Sequence, residues 1–300
     1  MEKKKILITG VNGLLGKDIY SVFNAISDYD IYGIGRKSAT VTTLGNNYIQ
    51  LDLTELEKVE QLIKNLNPDI IVHCAAYTKL DDCEKNKEYA YKMNVKVTEI
   101  LAKNVSYMIY ISSDAVFSGN KENGYTEEDS SEALNYYGQT KYEGEVAARK
   151  CEKFLIIRSS MYGYKLDESS SIAEWGIRNF LKGKEITGFS DVIFNPLYSK
   201  QLSRLLLKMM QDELVGTYHL GASQSVSKYV FFQMISHNLG KDIELVKEGS
   251  VKNINFVAKR TLNTSLSINK IKGIYDLDEE IDLQRGINEM IRDMKQEGKI

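Results

Sequence analysis

Two side chains on one predicted helix have the types and spacing for acid–base chemistry. In the stretch NYYGQTKYEG, Tyr137 and Lys141 are four residues apart, so they share one face of a helix. An ammonium group beside a phenol stabilises the phenolate and lowers its pKa, which lets a tyrosine act as a general acid near neutral pH. Pairs with this spacing also arise by chance in a chain with 19 tyrosines, so a second feature is needed.

The second feature is a group of hydroxyls after an apolar strand. The strand YMIYIS leads into Ser112, Ser113 and Asp114. Ligands of parallel sheets bind at the carboxyl ends of the strands, where this group is expected to lie. A serine hydroxyl there could hydrogen-bond a carbonyl oxygen beside the tyrosine.

A glycine-rich turn near the start of the chain could bind phosphates. In KKILITGVNGLLG an apolar run ends at Thr9, and glycines follow at Gly10, Gly13 and Gly16. Between a strand and a helix, such a turn directs backbone N–H groups and the helix dipole at a pyrophosphate. The first two glycines would let the phosphates approach, and Gly16 would let the helix lie close to the sheet. The alternative is a plain strand–helix turn.

The next strand indicates which dinucleotide binds. NAD-binding folds have an acidic residue about 20 residues after the glycine turn, but this chain has Gly35, Arg36 and Lys37 there. A guanidinium can donate two hydrogen bonds to a 2′-phosphate, so NADP(H) is favoured. Alternatively, these cations only begin a solvated loop. Asp52 is a candidate contact for the adenine amine, or else a helix N-cap beside Thr54.

Strands and helices alternate through the first half, which predicts an α/β fold with a parallel sheet covered on both faces. The predicted strands are 4–9, 31–34, 48–51, 70–74, 107–112 and 154–158, and the predicted helices are 14–27, 56–66, 85–104 and 136–150. Later helices are predicted at 201–212, 227–239 and 278–297, with one more strand at 217–220. We expect a Rossmann-type doubly wound domain over residues 1–160, to which the chain returns at about 190–222. Residues 161–300 are expected to form mainly a smaller substrate-binding lobe.

Composition excludes several classes of partner. The net charge is −2, so the chain lacks the excess of basic residues that nucleic-acid binding requires. No apolar run is long enough to cross a membrane. The three cysteines lack metal-site spacing, which favours a reduced cytoplasmic compartment and no metal. A homodimer is one possible assembly.

Taken together, the motifs resemble those of an extended short-chain dehydrogenase/reductase, and more closely the dTDP-4-dehydrorhamnose reductase family. The resemblance is carried by ITGVNGLLG, LDLTE, NPDIIVHCAAYTKLDDCE, ISSDAVFSG, YGQTK, GTYHLG and AKRTLNTSLSINK. It implies an NADPH-dependent reductase of a nucleotide-activated 4-keto-6-deoxy sugar.

The resemblance also implies roles for individual residues. The catalytic set would be Ser113, Tyr137 and Lys141. Cofactor contacts would come from Gly10, Asn12, Gly13, Leu14, Leu15, Asp52, Leu53, Ala75, Ala76, Tyr77 and Asn94, in addition to Gly16, Arg36, Lys37 and the Tyr–Lys pair. Substrate contacts would come from Asp114, Val116, Met161 and Arg260.

The chain departs from the family pattern around the expected sugar pocket. Ala115 replaces an aromatic residue, Met161 replaces a tryptophan, and Thr261 replaces the proline after the arginine. These changes leave the identity of the sugar and of the nucleotide open.

Two other functions are compatible with the same fold. One is a sugar-nucleotide 4-epimerase, which would retain NAD and which Arg36 disfavours. The other is a non-catalytic regulatory subunit, since one relative in the superfamily partners methionine adenosyltransferase. The intact Ser113–Tyr137–Lys141 set disfavours that role.

Overall fold

The fold is described by a computed structural model over residues 3–37, 47–165 and 171–300. The strands are β1 Lys4–Thr9, β2 Tyr29–Gly35, β3 Tyr48–Gln50, β4 Ile70–His73, β5 Tyr107–Ile111, β6 Lys153–Ser159, β7 Met161–Tyr162, β8 Ile186–Phe189, β9 Ile193–Phe194, β10 Leu197–Tyr198, β11 Gly216–Leu220, β12 Val226–Ser227 and β13 Val246–Gly249. The α-helices are α1 Leu14–Asn24, α2 Leu56–Leu66, α3 Leu80–Lys85, α4 Lys87–Tyr91, α5 Val97–Lys103, α6 Tyr136–Ala148, α7 Ile172–Leu181, α8 Ser199–Gln211, α9 Lys228–Asn238, α10 Asn269–Lys272 and α11 Leu283–Gln296.

A parallel sheet of seven strands organises the first half, in the order β11-β6-β5-β4-β1-β2-β3. Every pairing in it is parallel. The chain winds one way from β1 through β2 to β3 and the other way from β4 through β5 to β6. The direction reverses between β1 and β4, which is where doubly wound sheets bind nucleotides. The predicted doubly wound α/β fold is confirmed.

Helices cover both faces because the buried strand residues are apolar on both sides. In β1, Ile6 and Ile8 join the core beneath α1 and α8, whereas Leu7 joins the core beneath α2, α5 and α6. Strands that are buried on both faces consist of continuous apolar runs, and the strands of this sheet show that pattern in the sequence.

The helix expected over 85–104 is interrupted. It begins as α4, passes through a π-helical turn at Lys92–Lys96 and ends as α5. Such turns often mark functional sites. In this turn the side chain of Asn94 forms hydrogen bonds with the backbone of Tyr77, which lies outside the helix.

The second half leaves the sheet and returns to it once. Strand β11 pairs with β6 from Gly216 to Leu220, and α8 packs on α1. The last helix begins at Leu283 instead of at 278, because the side chain of Asp282 accepts a hydrogen bond from the Arg285 N–H at 2.6 Å and caps the helix there.

Candidate active site

The glycine turn lies at the point where the sheet reverses direction. Gly10 has a φ of +68°, and a Cβ there would approach within 3.0 Å of the backbone of Ala75. The turn after β1 therefore touches the turn after β4. A Cβ on Gly16 would come within 2.2 Å of the carbonyl oxygen of Gly10. Gly16 thus lets the first helical turn close against the glycine loop, whereas the sequence predicted close packing on the sheet.

This turn is suited to an anion. Helix α1 begins after Gly13 without a side-chain cap, which leaves its first N–H groups available. Asn12 donates to the Tyr48 hydroxyl at 2.9 Å, and its Oδ1 is buried with no partner among the described residues. Leu14 is partly buried, and Leu15 is in the core, so only the backbone N–H of Leu15 could reach a phosphate.

The cations after β2 are exposed and held in place by neighbouring side chains. The carbonyl oxygen of Arg36 accepts from Gln50, and that of Lys37 accepts from the Tyr48 hydroxyl. The Arg36 guanidinium lies 3.3 Å from the Tyr89 hydroxyl. These contacts keep Arg36 beside the end of β2.

Asp52 bonds Thr54 but is not the cap of the helix that follows. Its Oδ1 accepts from the N–H and the hydroxyl of Thr54 at 2.9 and 2.8 Å, but the N-cap of α2 is Glu55. Burial raises the pKa of Asp52, yet these hydrogen bonds and the charges of Arg36 and Lys92 outweigh burial, and the pKa lies below its usual value. The side chain of Leu53 is buried in the core.

Asn94 holds the loop that was expected under the cofactor. Its side chain accepts from the Tyr77 N–H at 2.8 Å and donates to the Tyr77 carbonyl at 3.2 Å and to Thr140 at 2.9 Å. The amide therefore fixes the loop of Ala75, Ala76 and Tyr77 against α6. These three bonds hold the loop in place, and the predicted contact of Asn94 with the cofactor stays a prediction.

The structure brings Ser113, Tyr137 and Lys141 together below the carboxyl edge of the sheet. Ser113 follows β5, donates to Asp114 at 3.0 Å, and lies near enough to the Tyr137 phenol to influence its pKa. The Lys141 ammonium donates to the carbonyl of Ile111 at 2.6 Å. Ser113 and Lys141 are both buried.

The pKa values of the pair differ from the sequence-based expectation. Burial raises the pKa of Tyr137; the nearby Ser113 hydroxyl opposes this rise and the charge of Asp114 adds to it. Lys141 is not among the groups that act on it. Burial lowers the pKa of Lys141 itself to about 7, against the opposing charges of Glu145 and Cys74. The predicted lowering of the Tyr137 pKa by Lys141 is therefore absent in this state of the protein.

Asp114 and Arg260 mark the side of the site that faces the second lobe. Asp114 accepts from the Thr264 hydroxyl at 2.6 Å. Burial raises its pKa, while these hydrogen bonds and the charge of Lys228 lower it. Lys228 also interacts with Arg260, so a chain of charged groups leads from the Ser–Tyr–Lys set into the second lobe.

Arg260 is already paired. Its Nη2 lies 3.0 Å from Asp81 of α3, and its guanidinium stacks over Phe256. It lines a cavity of about 410 Å³ together with Ser118, Asn120, Leu134, Val251, Lys252, Ile254, Asn255, Phe256, Ala258, Lys259 and Leu262. Ser113, Tyr137 and Lys141 are not in this lining.

Two residues that were predicted to contact the substrate, Val116 and Met161, pack against apolar clusters. The side chain of Val116 is fully buried and packs with Phe117, Tyr125 and Leu266, so a substrate contact at Val116 would fall to its backbone. The reason is the short 3-10 turn after Ser113, which directs Val116 inward. Met161 is partly buried, pairs with Leu197 and packs against the main core.

The sequence reasoning missed two residues that position the catalytic helix. Asn135 caps α6 through a 2.9 Å bond from the Gly138 N–H and donates to the Lys259 carbonyl at 3.1 Å. A Cβ on Gly138 would lie 2.0 Å from the Ala115 carbonyl. The helix can therefore start directly against the segment that carries Ser113. The signal was present as an N-cap asparagine before a helix.

Within the described ranges, no cluster of His, Cys, Asp or Glu could hold a metal ion. In the same residues, no helix has the length and apolar character needed to span a membrane.

A parallel sheet with a glycine turn at its switch point and a Ser–Tyr–Lys set at its carboxyl edge defines the short-chain dehydrogenase/reductase class. The RmlD substrate binding domain family matches residues 4–296, and the chain belongs to that family. The predicted resemblance is thereby confirmed.

Individual relatives agree with this assignment. The chain is 26% identical to a dTDP-4-dehydrorhamnose reductase of Aggregatibacter actinomycetemcomitans, over 94% of this chain and 97% of the relative. It superposes with a TM-score of 0.85 on the crystal structure of the Bacillus anthracis dTDP-4-dehydrorhamnose reductase in complex with NADP, with 29% identity and coverage of 97% and 99%. It is also 32% identical to methionine adenosyltransferase 2 subunit beta of Xenopus tropicalis, over 75% of this chain and 69% of that one.

Proposed function

We propose that this protein uses NADPH to reduce the C4 keto group of a nucleotide-activated 4-keto-6-deoxy sugar. The observation that carries the proposal is the closeness of the Ser113 hydroxyl to the Tyr137 phenol, with Lys141 on the same helix, beside a glycine turn that is suited to a pyrophosphate. The reductases among the relatives support the same chemistry.

The described residues fit the cofactor. The uncapped start of α1 would receive the pyrophosphate, the unpartnered Oδ1 of Asn12 could accept a hydrogen bond, and Arg36 would pair with the 2′-phosphate. Asp52 would contact the adenine amine, and the loop 75–77 would lie beneath the ribose. When bound, NADPH supplies the hydride for the carbonyl carbon.

Proton transfer falls to Tyr137. Its phenol would give a proton to the oxygen of the reduced carbonyl, and its raised pKa keeps it protonated in the resting enzyme. The single hydroxyl proton of Ser113 points at Asp114, so its O–H would rotate to donate to the substrate carbonyl. The Lys141 ammonium would hold the nicotinamide ribose and stabilise the phenolate that proton transfer leaves behind.

The second lobe would bind the nucleotide sugar. Arg260 lines the cavity and offers a cation for a diphosphate, with an aromatic face at Phe256. We propose that residues 1–160, with the return at about 190–222, bind the cofactor and that 161–300 bind mainly the substrate. The free thiols of Cys74, Cys83 and Cys151 support a reducing, cytoplasmic location.

The test is NADPH oxidation against a panel of dTDP-, UDP-, GDP- and CDP-4-keto-6-deoxy sugars. A reductase consumes one NADPH for each sugar that it reduces. A 4-epimerase would interconvert sugars without net oxidation of NADPH. A regulatory subunit would bind NADP and turn over none of the panel. Either of the last two results would overturn the proposal.

A further inference from the structure

One turn beyond Lys141, helix α6 carries a glutamate that no solvent reaches. Tyr137, Lys141 and Glu145 are spaced four residues apart, so they lie along one face of the helix. The side chain of Glu145 is 0% exposed. Carboxylates are almost never fully buried unless they are paired, so the partners of this one need an explanation.

Four hydrogen bonds converge on the Glu145 carboxylate. Arg158 of β6 donates from Nε and Nη2 at 2.8 Å each, and Arg149 donates at 3.1 Å. The fourth donor is the hydroxyl of Ser112, at 2.6 Å. Arg158 is itself buried, with 3% of its side chain exposed. The carboxylate is therefore held in one orientation, with a bidentate arginine on one side and a serine on the other.

The Ser112 bond connects this carboxylate to the catalytic set. Ser112 follows β5 and directly precedes Ser113. The hydrogen bond therefore fastens the end of β5 to the helix that carries Tyr137 and Lys141. It fixes the hydroxyl-bearing segment relative to the acid–base helix.

Glu145 also acts on Lys141 through its charge. It is the largest influence that opposes the effect of burial on the Lys141 pKa. The other titratable groups that act on or lie beside Lys141 are His73 and Cys74 at the end of β4, and Tyr110 on β5, whose ring lies 4.1 Å from the ammonium. Burial lowers the pKa of His73 to about 3 and raises that of Cys74 to about 12. Both are neutral at pH 7, so the negative charge near Lys141 comes from Glu145.

We propose that Glu145 is a positioning residue of the active site, which fastens Ser112 to α6 and favours the ammonium form of Lys141. The inference rests on the proposed function for its catalytic meaning. The state of the lysine can nevertheless be measured without turnover.

The experiment compares Glu145→Gln with Glu143→Gln. Both remove one carboxylate from α6, but Glu143 bonds Gln139 and is not among the groups that act on Lys141. Lysine side chains are labelled with 13C at Cε, and the Lys141 resonance is assigned by its loss in Lys141→Met. The pH titration of that resonance is then followed in the wild type and in both variants, alongside the pH dependence of kcat/KM.

We expect Glu145→Gln to raise the acid dissociation constant of Lys141 about tenfold, because the variant removes an opposite charge that favours the ammonium form. Tenfold is the lower end of the effect that a neighbouring opposite charge has. The alkaline limb of kcat/KM should move to lower pH by the same factor. Glu143→Gln should move neither. An unchanged Lys141 titration in Glu145→Gln, or an equal change in Glu143→Gln, overturns the inference.

Two further comparisons keep the test decisive. Glu145→Gln leaves Arg158 buried and unpaired, so it could fail to fold. In that case Glu145→Gln with Arg158→Gln, which removes both charges, is titrated in its place, with the same expected direction and the same overturning result. If the wild type reduces none of the sugars but Lys141 titrates as expected, the proposed function fails while Glu145 keeps its effect on the lysine.

Discussion

Arg260 Nη2 lies 3.0 Å from Asp81 Oδ1, and the same carboxylate oxygen accepts the Ala258 N–H at 2.9 Å. The arginine and its own backbone segment are therefore anchored to α3 by a single side chain. This places a pre-oriented guanidinium at the rim of the cavity in the second lobe. Preorganised cations of this kind bind phosphates with little further loss of conformational entropy.

The Arg260 side chain is expected to act in binding and not in the chemical step. Arg260→Ala should raise KM for the nucleotide sugar by roughly 10- to 100-fold, the equivalent of one charge-assisted hydrogen bond, with little change in kcat. Lys259→Ala is the matched control, because it removes an exposed cation from the same cavity. A normal KM in Arg260→Ala, or an equal rise in Lys259→Ala, would contradict the assignment.

Cofactor choice should depend on Arg36. A charge-assisted pair with the 2′-phosphate corresponds to roughly 10- to 100-fold preference for NADPH over NADH. Arg36→Asp should remove or invert this preference, because a carboxylate repels the phosphate and accepts the free ribose hydroxyl of NADH. The measurement is kcat/KM for both cofactors at one fixed ionic strength.

Tyr89→Phe is the control for the cofactor test. It removes the 3.3 Å contact to the guanidinium but keeps the charge, so the preference should persist. Equal use of NADH by the wild type, or an NADPH preference that survives in Arg36→Asp, would show that Arg36 is only a loop residue.

Lys141 should lower the stability of the fold in a pH-dependent way. Its pKa falls from 10.5 to about 7 on folding, so the unfolded chain binds more protons between these pH values. Stability therefore rises with pH across that window, and the destabilising effect of Lys141 is present in full below pH 7 and lost near 10.5. Lys141→Met should raise Tm at pH 6 and do so less at pH 10.

The control for this stability test is Lys150→Met, which changes an exposed lysine just beyond the same helix. It should shift Tm little at either pH. If Lys141→Met changed Tm equally at pH 6 and pH 10, the lysine would not lose its proton in the folded protein near neutral pH.

The sequence predicted the parts of this fold that depend on local patterns. Apolar runs located the strands of the sheet, and the glycine spacing located the turn at its switch point. Helix α2 was predicted with its observed bounds because Pro68 follows it and its apolar face is regular.

The features that the sequence did not reveal depend on contacts between distant segments. The π-helical turn at Asn94 coincides with hydrogen bonds between that side chain and Tyr77, 17 residues away. The resemblance placed Val116 among the substrate contacts, but a 3-10 turn directs its side chain into the core. The Lys141 pKa reflects burial among β4, β5 and α6, which no spacing along one helix could indicate.

The central claim is that Tyr137 donates the proton in an NADPH-dependent reduction of a nucleotide-activated 4-keto-6-deoxy sugar. The most direct measurement is single-wavelength NADPH oxidation with the best sugar of the panel, for the wild type and for Tyr137→Phe, with NADPH affinity measured in parallel. We expect the wild type to oxidise NADPH only when the sugar is present. Tyr137→Phe should lower kcat by about 100-fold or more while binding NADPH with nearly unchanged affinity. Comparable turnover in the mutant, or no sugar-dependent oxidation by the wild type, would contradict the claim.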